Sequence, residues 1–309
     1  MENIAFVFPG QGSQAVGMGR DLAQAFPAAR QVFEQADEIL GCPLASLAWA
    51  GPEAELNDTL NTQPALLVHS AAVLAVLAEQ FPGLHPAFVA GHSMGELSAL
   101  LACSALPFPE ALKLVRRRGE LMKQAGEVNP GGMAAVLGAD ISTLDRICAE
   151  ASASGEVVQV ANDNCPGQVV ISGAKPALER AIQLAGQAGI RRIRPLAVSI
   201  AAHSPLMAQS QDAFSQAVQH APFTDPHVPL VGNVSALPLT TAAEIREDLK
   251  AQLTSRVRWT ETVQEMAARG ITTFLELGSG SVLAGLIKRI DDQVKCISIG
   301  TPADLEKLI

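Results

Sequence analysis

The stretch that most constrains the fold is the heptapeptide Ala90-Gly91-His92-Ser93-Met94-Gly95-Glu96. An apolar run at residues 86–90 leads into it, and the small and apolar residues 97–102 that follow are typical of a helix. A Gly-x-Ser-x-Gly sequence between a strand and a helix is the pattern of a nucleophile elbow. Both glycines fit because a Cβ would clash in so tight a turn. A turn without chemistry can carry the same pentapeptide, but the flanking strand and helix favour Ser93 as a nucleophile.

The composition excludes several classes of protein. The chain has 309 residues, of which 48% are hydrophobic and 17% charged, so it can bury a substantial core. Its net charge of −9 argues against non-specific binding to nucleic acid or an anionic membrane. The N-terminus lacks the basic region of a signal peptide, and the apolar stretch 65–78 is too short to span a bilayer. We therefore expect a cytoplasmic protein without nucleic-acid or membrane partners.

The cysteines indicate neither disulfides nor a metal site. They are odd in number, widely spaced and without a Cys-x-x-Cys pair, which fits a reducing compartment. They stand at Cys42, Cys103, Cys148, Cys165 and Cys296.

Apolar periodicity divides the chain into two parts. Residues 131–200 follow a β-α-β-β-α-β order, which is that of the split β-α-β unit. The segments on both sides of it have another pattern, with predicted strands at 4–8, 86–90, 229–233 and 272–277. We therefore predict an α/β fold with two domains. Residues 1–128 and 199–309 form a large α/β-hydrolase-like domain with a parallel sheet, and residues 129–198 form an inserted small ferredoxin-like domain.

The predicted helices are 20–40, 65–81, 109–125, 142–151, 175–188, 207–220, 242–253, 259–269 and 282–290. The predicted strands of the small domain are 133–137, 157–161, 168–172 and 193–200, with a turn at 162–167.

A serine nucleophile requires a base, and the histidines are the candidates. His92 adjoins Ser93, but neighbouring strand residues point in opposite directions, so His92 is badly placed as the base. His69 falls in a buried helix, where a core role fits better. His203 follows a predicted strand and precedes a helix, which makes it the best candidate. No acidic residue stands out as a third member, so a backbone carbonyl could orient the base in a dyad.

Three successive arginines, residues 116–118, lie in one predicted helix. Successive helical residues point about 100° apart, so the three cannot share one direction. One of them can therefore face inward while the others remain solvated.

The chain resembles the malonyl-CoA:acyl carrier protein transacylases of fatty acid synthesis and the related polyketide acyltransferase domains. The resemblance depends on short motifs that cover nearly the whole length in a specific order. They are Phe8-Pro9-Gly10-Gln11-Gly12-Ser13-Gln14, Thr62-Gln63-Pro64-Ala65, residues 91–96, Arg118-Gly119, Asn164-x-Pro166-x-Gln168-Val169-Val170, His203-Ser204-x-x-Met207, Asn233-Val234, Gln252-Leu253, Val257-x-Trp259 and Gly278-x-Gly280-x-Val282-Leu283.

The resemblance implies a role for individual residues. Ser93 carries the acyl group as an ester, and His203 acts first as general base and then as general acid. The main-chain amides of Gln11 and Met94 form the oxyanion hole. Further implied substrate-binding and positioning residues follow.

Arg118 grips the free carboxylate of malonate, which suits a guanidinium with two parallel donors. A structural ion pair is the alternative role for this arginine. Gln252 lies near the dyad, and its carbonyl orients His203. His92, Asn162 and Asn164 are candidate substrate-binding residues, although the two asparagines also fit a turn.

The implied partners are malonyl-CoA and acyl carrier protein, with CoA as a substrate and no metal or cofactor. We expect a monomer. Because carrier proteins are acidic, docking requires a local basic surface. The candidates are Arg191, Arg192, Arg194, Lys288 and Arg289. A solvated charge run explains these residues equally well.

Several alternatives remain open at this point. Met94, Leu97 and residues 200–202 differ from common family forms, so a trans-acting polyketide synthase acyltransferase, or one that prefers methylmalonyl, is the nearest alternative. A serine thioesterase or esterase would hydrolyse the acyl ester instead, and Arg118 and Gln11 argue against it. A non-catalytic carrier-binding module fits poorly with Ser93, His203 and Arg118 together.

Overall fold

The structure, a computed structural model, describes residues 3–153, 155–196 and 198–309. These residues form a mixed α/β fold in which one sheet is largely parallel and a second sheet is antiparallel. The strands are β1 (Ile4–Phe8), β2 (Phe88–Gly91), β3 (Gly131–Leu137), β4 (Val158–Cys165), β5 (Gln168–Ala174), β6 (Arg192–Pro195), β7 (Leu230–Val231), β8 (Pro238–Leu239), β9 (Thr273–Leu277) and β10 (Lys295–Ile299).

Helices account for most of the remaining chain. They are α1 (Arg20–Ala25), α2 (Pro27–Leu40), α3 (Leu44–Ala50), α4 (Glu53–Leu56), α5 (Thr59–Gln80), α6 (Gly95–Ala102), α7 (Phe108–Val128), α8 (Ile141–Ala151), α9 (Lys175–Gln187), α10 (Ala208–His220), α11 (Ala242–Gln252), α12 (Trp259–Ala268) and α13 (Val282–Ile290). Two 3₁₀ segments, Pro205–Met207 and Pro302–Leu308, complete the secondary structure of the described residues.

The large sheet has the strand order β10-β9-β1-β2-β7-β8. Its first five strands are parallel and β8 is antiparallel to β7. In the central strand β1, Ile4, Phe6 and Phe8 pack into one apolar cluster, whereas Ala5 and Val7 pack into another on the opposite face. Helices cover both faces, which explains why β1 is apolar without alternation. The carboxyl ends of β1 and β2 therefore meet at one edge, and that edge carries the site.

The small sheet has the order β4-β5-β3-β6 and is antiparallel throughout. Its elements follow the predicted β-α-β-β-α-β order along the chain. One face packs against α8 and α9 in a cluster that includes Val136 and Ile171, while Ala135 and Val170 face the opposite way. The domain boundaries at 128/129 and 198/199 stay a prediction, although the small sheet lies between them.

Helix α5 begins at Thr59, not at the predicted residue 65, and it contains Pro64. A proline lacks the amide that would bond the carbonyl four residues earlier, so it usually ends a helix. Here the carbonyl of Leu60 accepts a hydrogen bond of 3.1 Å from Nη1 of Arg116 instead. A side chain from α7 thus replaces the missing donor, and the helix continues through the proline.

Other boundaries differ for local reasons. The predicted helix 20–40 is two helices, because Phe26 is extended immediately before Pro27. Strand β4 continues through the predicted turn to Cys165, with irregularities in register that accommodate the polar residues. The predicted strand 193–200 ends at Pro195, and Ala197 lies outside the described residues. Strands β8 and β10 were not predicted.

One helix among the described residues, α5, is long and apolar enough to cross a membrane by length and composition. However, 78% of its apolar window is buried inside the protein. Helix α5 contacts α7 and α2, so its apolar surface serves the core.

Candidate active site

Ser93 lies on a sharp turn between β2 and α6, as the elbow motif predicts. Its φ of 53° is in the left-handed region, which is uncommon for a residue other than glycine. A Cβ on Gly91 would lie 2.0 Å from the carbonyl carbon of Gly95, and one on Gly95 would lie 2.2 Å from the carbonyl oxygen of Phe8. The turn therefore requires glycine at both positions, and it holds Ser93 at the carboxyl end of the sheet.

His203 and Ser93 are in hydrogen-bond contact. Nε2 of His203 lies 2.8 Å from Oγ of Ser93, and Nδ1 lies 2.9 Å from the carbonyl oxygen of Gln252. Because Nδ1 donates to that carbonyl, Nε2 is free to accept the serine proton. Burial, and secondly the Arg118 cation, lower the pKa of His203 from 6.5 to about 3. The imidazole is therefore neutral at physiological pH, which is the state that a general base needs.

Arg118 is the inward-facing member of the arginine triplet, with 1% of its surface exposed. Its Nη2 lies 3.1 Å from Oγ of Ser93, and its Nε and Nη2 donate to Oε1 of Gln252 at 3.1 and 2.9 Å. Among the described residues no carboxylate forms an ion pair with it. Burial lowers the pKa of Arg118 to about 10, so it remains a cation. A buried cation beside the serine that lacks a directly contacting carboxylate is a site for an anionic group.

The cleft beside these residues has a volume of about 360 Å³ and separates the elbow from the small sheet. His92, Asn162 and Asn164 all line it. Nε2 of His92 lies 2.7 Å from Oδ1 of Asn164. The interpretation of the two asparagines as turn residues is wrong, because both lie in β4, where the register shifts direct them towards the cleft.

The two residues whose main-chain amides are predicted to form the oxyanion hole both lie beside the cleft. Gln11 and Met94 both line the cleft, and Met94 is the N-cap of α6. Within the described part of the chain neither amide donates a hydrogen bond to a protein acceptor. Both are therefore available to a developing negative charge near Ser93. The side chain of Gln11 is held in place because its Oε1 accepts a 2.6 Å bond from Oγ1 of Thr59.

The five predicted docking cations are all exposed. Arg192 and Arg194 lie opposite Leu137 and Ala135 in the small sheet, and Ala135 lines the cleft. Directly opposed residues share a face, so Arg192 and Arg194 lie on the face of the small sheet that borders the cleft. Arg289 donates to Oε1 of Gln168 at 2.6 Å, and Gln168 also lines the cleft. Arg191 and Lys288 neighbour these residues in the chain.

Three residues for which the sequence predicts no role stabilise the site by hydrogen bonds. Oδ1 of Asn233 accepts the amide of Ser93 at 2.7 Å, and Glu96 accepts hydrogen bonds from Asn233 and Gln252. Nε2 of Gln159 donates to the carbonyl of His203 at 2.7 Å. Asn233 and Glu96 belong to the motifs quoted above, and membership of a motif is the sequence feature that could have identified them as site residues. Gln159 lies in an ordinary strand pattern, which has no such feature.

Among the described residues, no group of three or more histidine, cysteine, aspartate or glutamate side chains could hold a metal ion. The predicted absence of a metal or cofactor stays a prediction.

The acyl transferase domain family model matches residues 5–301 of the chain. A malonyl CoA-acyl carrier protein transacylase of Bacillus subtilis (strain 168) is 44% identical over 309 residues, covering 100% of this chain and 97% of that protein. One of Haemophilus influenzae is 45% identical over 303 residues, covering 98% and 97%.

Solved structures that resemble this chain bear names of the same kind as these relatives. An acyl carrier protein S-malonyltransferase of Vibrio cholerae has a TM-score of 0.96 and 42% identity, with 100% of both chains covered. A malonyl-transacylase solved in complex with a type II PKS acyl-carrier protein has a TM-score of 0.95 and 43% identity, covering 99% of this chain and 98% of that chain. Since the family model spans nearly the whole chain and full-length relatives exceed 40% identity, this chain belongs to the acyl transferase domain family.

Proposed function

We propose that this protein transfers a malonyl group from malonyl-CoA to the phosphopantetheine thiol of acyl carrier protein, and so supplies extender units for fatty acid synthesis. The observation that carries the proposal is the buried Arg118, whose Nη2 lies 3.1 Å from Oγ of Ser93. A neutral acyl group would leave this cation without a partner, whereas the free carboxylate of malonate would neutralise it with two parallel hydrogen bonds. The names of the full-length relatives support the same activity.

In the first half-reaction, Oγ of Ser93 attacks the thioester carbonyl carbon while Nε2 of His203 takes the serine proton. The carbonyl oxygen becomes an oxyanion, which accepts hydrogen bonds from the amides of Gln11 and Met94. When the carbon–sulfur bond breaks, His203 returns the proton to the departing CoA thiolate. The product is a malonyl ester on Ser93. The 2.8 Å contact between Oγ of Ser93 and Nε2 of His203 supports this order of proton transfers.

The second half-reaction reverses these roles with a new thiol. His203 takes the proton of the carrier's phosphopantetheine thiol, the sulfur attacks the ester carbonyl, and the proton then passes to the leaving oxygen of Ser93. His92, Asn162 and Asn164 line the cleft and are proposed to contact the substrate. The cleft admits a pantetheine arm and limits the access of water, which would otherwise hydrolyse the ester.

We propose that the carrier docks on a basic rim formed by Arg191, Arg192, Arg194, Lys288 and Arg289. The support is geometric, since Arg192 and Arg194 lie on the face of the small sheet that borders the cleft, while Arg289 contacts Gln168 in its lining. An acidic carrier would be attracted to this rim even though the whole chain carries a charge of −9.

The finer structural and cellular assignments are also proposals. The parallel sheet with helices on both faces supports an α/β-hydrolase-like large unit, and the antiparallel order β4-β5-β3-β6 supports a ferredoxin-like small unit. Five cysteines without disulfides support a cytoplasmic location. We propose that the reaction needs no metal or cofactor, because Ser93 and His203 provide the nucleophile and the base. We also propose that the protein is a monomer.

The deciding experiment is intact-protein mass spectrometry after separate incubation with malonyl-CoA, acetyl-CoA and methylmalonyl-CoA. We expect a malonyl adduct that is absent in Ser93→Ala and reduced about 100-fold or more in loading rate in Arg118→Ala. Addition of holo carrier protein should discharge the adduct. CoA release without a transferable adduct would indicate a hydrolase, and preferential loading of acetyl-CoA would contradict the assigned substrate.

A polyketide carrier is a second candidate acceptor. The support is the structural relative solved with a type II PKS acyl-carrier protein. Discharge of malonyl-Ser93 by fatty acid and polyketide carriers, measured separately and in competition, distinguishes the two pathways.

A further inference from the structure

The carboxyl group of Glu96, which lies close to Ser93 in the chain, has no part in the proposed mechanism. Glu96 follows the elbow on α6 and is fully buried, with 0% of its surface exposed. One of its oxygens accepts the backbone amide of Asn233 at 3.1 Å, and the other accepts Nε2 of Gln252. Asn233 in turn accepts the amide of Ser93 and donates to the carbonyl of Gly91, each at 2.7 Å. Glu96 therefore hydrogen-bonds both to Asn233, which holds the elbow, and to Gln252.

Gln252 hydrogen-bonds to Ser93, Arg118 and His203. Its Nε2 donates to the carbonyl of Ser93 at 3.1 Å, its Oε1 accepts two bonds from Arg118, and its main-chain carbonyl accepts from His203. A glutamine amide has one oxygen and one NH₂, and rotation by 180° exchanges them. In the rotated form the NH₂ would face the guanidinium, so two donors would oppose each other. Oε1 of Gln63 accepts a bond of 2.8 Å from Nη1 of Arg118, but the bonds from Nε and Nη2 to Gln252 form only when the Gln252 oxygen faces the guanidinium.

The carbonyl of Ser93 and the carboxyl of Glu96 both distinguish these orientations, and the side chain that a substitution can change is Glu96. Its carboxyl presents an acceptor to the NH₂ side of Gln252, where an oxygen in the rotated form would meet only other oxygens. Burial and the nearby carboxyl of Asp248 raise the pKa of Glu96 well above its ordinary value. Either protonation state provides this support, because each oxygen of a carboxyl keeps a lone pair for its N–H donor.

We propose that Glu96 is the positioning residue that sets the orientation of the Gln252 amide and, through it, of the Arg118 guanidinium. Resting on the proposed function, this inference gives Glu96 control over the preference for acyl groups that bear a carboxylate. A neutral acyl group makes no use of the guanidinium, so its loading depends on Glu96 much less.

The test is Glu96→Gln, with single-turnover loading of Ser93 from malonyl-CoA and from acetyl-CoA. A glutamine at this position has one acceptor oxygen, so it cannot serve both the Asn233 amide and the Gln252 amide. We expect the malonyl-to-acetyl ratio of kcat/KM to fall about tenfold, mostly through a higher KM for malonyl-CoA. In an Arg118→Ala background the same substitution should leave the ratio unchanged, because the guanidinium that it positions is gone.

The matched control is Glu276→Gln. Glu276 is also a fully buried carboxyl that accepts backbone amides, but it lies on β9 and its partners are Leu283 and Ala284 in the first turn of α13. A general loss of stability would affect both variants, whereas a change in the malonyl-to-acetyl ratio should appear only in Glu96→Gln. Thermal unfolding of both variants records the structural effect separately.

The outcomes separate the two proposals. Failure of the wild-type protein to form a malonyl adduct overturns the proposed function. A wild-type protein that loads malonate, together with a Glu96→Gln variant of unchanged ratio, overturns only the role of Glu96. If Glu96→Gln does not fold, Glu96→Asp replaces it, because the shorter side chain withdraws the carboxyl from Gln252. An unchanged ratio in that variant also overturns the inference.

Discussion

The two walls of the cleft differ in what they are made of. The wall on the large sheet contains polar side chains that hydrogen-bond to one another: the half-buried Ser93 and the buried His203, Arg118 and Gln252. The wall on the small sheet is formed mainly by apolar side chains with exposed cations at its rim. Its cleft-lining residues include Met133, Ala135, Val170 and Leu196.

The two walls therefore have different functions: the large-sheet wall carries out the reaction, and the small-sheet wall controls access to Ser93. Hydrogen bonds in a buried network are stronger than in water, and each buried polar group is costly when it loses its partner. Substitutions on the large-sheet wall should therefore affect the reaction at Ser93 itself. The small-sheet wall shapes the cleft and meets the carrier, so substitutions there should change which molecules reach Ser93 and how fast they do so.

The largest expected effect is on the large-sheet wall, in His203→Ala. Without the base that lies 2.8 Å from Oγ, we expect the rate of malonyl loading to fall by about 10³-fold. Quenched-flow mass spectrometry of the Ser93 adduct measures this rate. His220→Ala is the control, since His220 is an exposed residue at the end of α10 whose Nδ1 hydrogen-bonds to the carbonyl of Gln216 in its own helix. Equal rates for wild type and His203→Ala would exclude His203 as the base.

An intermediate effect is expected at the connection between the walls. Gln159 extends from β4 of the small sheet and donates to the carbonyls of His203 and Thr254 at 2.7 and 3.0 Å. His203 has a φ of 57°, a conformation that its surroundings must enforce. We expect Gln159→Leu to slow loading of malonyl and acetyl groups alike by about tenfold, with an unchanged ratio between them.

Gln183→Leu is the control for this prediction, because Gln183 is an exposed residue on α9 of the same unit. A selective loss of malonyl loading in Gln159→Leu would show instead that Gln159 acts through Arg118.

The sequence predicted the large-sheet wall far better than the connection between the walls. The elbow was identifiable because its glycines, its serine and its flanking elements all follow from the geometry of one short turn. Arg118 could be limited to one of three arginines by helical geometry, but the resemblance was needed to select it. Its burial at 1% exposure depends on the packing of α7 against α5.

What the sequence could not predict are contacts between distant segments. The donation from Arg116 to Leu60 that carries α5 through Pro64 joins residues 56 positions apart. The hydrogen bond from Gln159 to His203 spans 44 positions, and nothing in an alternating strand pattern marks it. The path of β4 through Asn162 and Asn164 depends on pairing with β5, which overrides the turn preference of asparagine.

A smaller effect is expected at the rim of the small-sheet wall. Charge reversal in Arg289→Glu should slow transfer from malonyl-Ser93 to carrier protein about fivefold at low salt, and less at high salt. Serine loading from malonyl-CoA should stay within about twofold of wild type. Arg20→Glu, an equal charge change on α1, is the control. Equal losses in both half-reactions would show that Arg289 has a structural role instead of a docking one.

The smallest expected effect is the response of loading to mild acid, and it follows from the buried polar wall. His203 has its pKa lowered from 6.5 to about 3, by burial first and by the Arg118 cation second. The folded protein therefore keeps His203 neutral between pH 7.5 and 5, and we expect the loading rate to change by less than about twofold over that range. The unfolded chain, by contrast, protonates this histidine below pH 6.5. The contribution of His203 to stability is thus complete above pH 6.5 and is lost as the pH falls towards 3.

Arg118→Met sharpens the same measurement. Removal of the cation removes the second cause of the low pKa, so the acid limb of the loading profile should move to higher pH. Acetyl-CoA is the appropriate donor, because an acetyl group has no carboxylate for the guanidinium to bind. An ordinary histidine titration near pH 6.5 in the wild-type protein would contradict the lowered pKa. An unmoved acid limb in Arg118→Met would show that burial alone lowers the pKa of His203, although Arg118 and His203 both contact Oγ of Ser93.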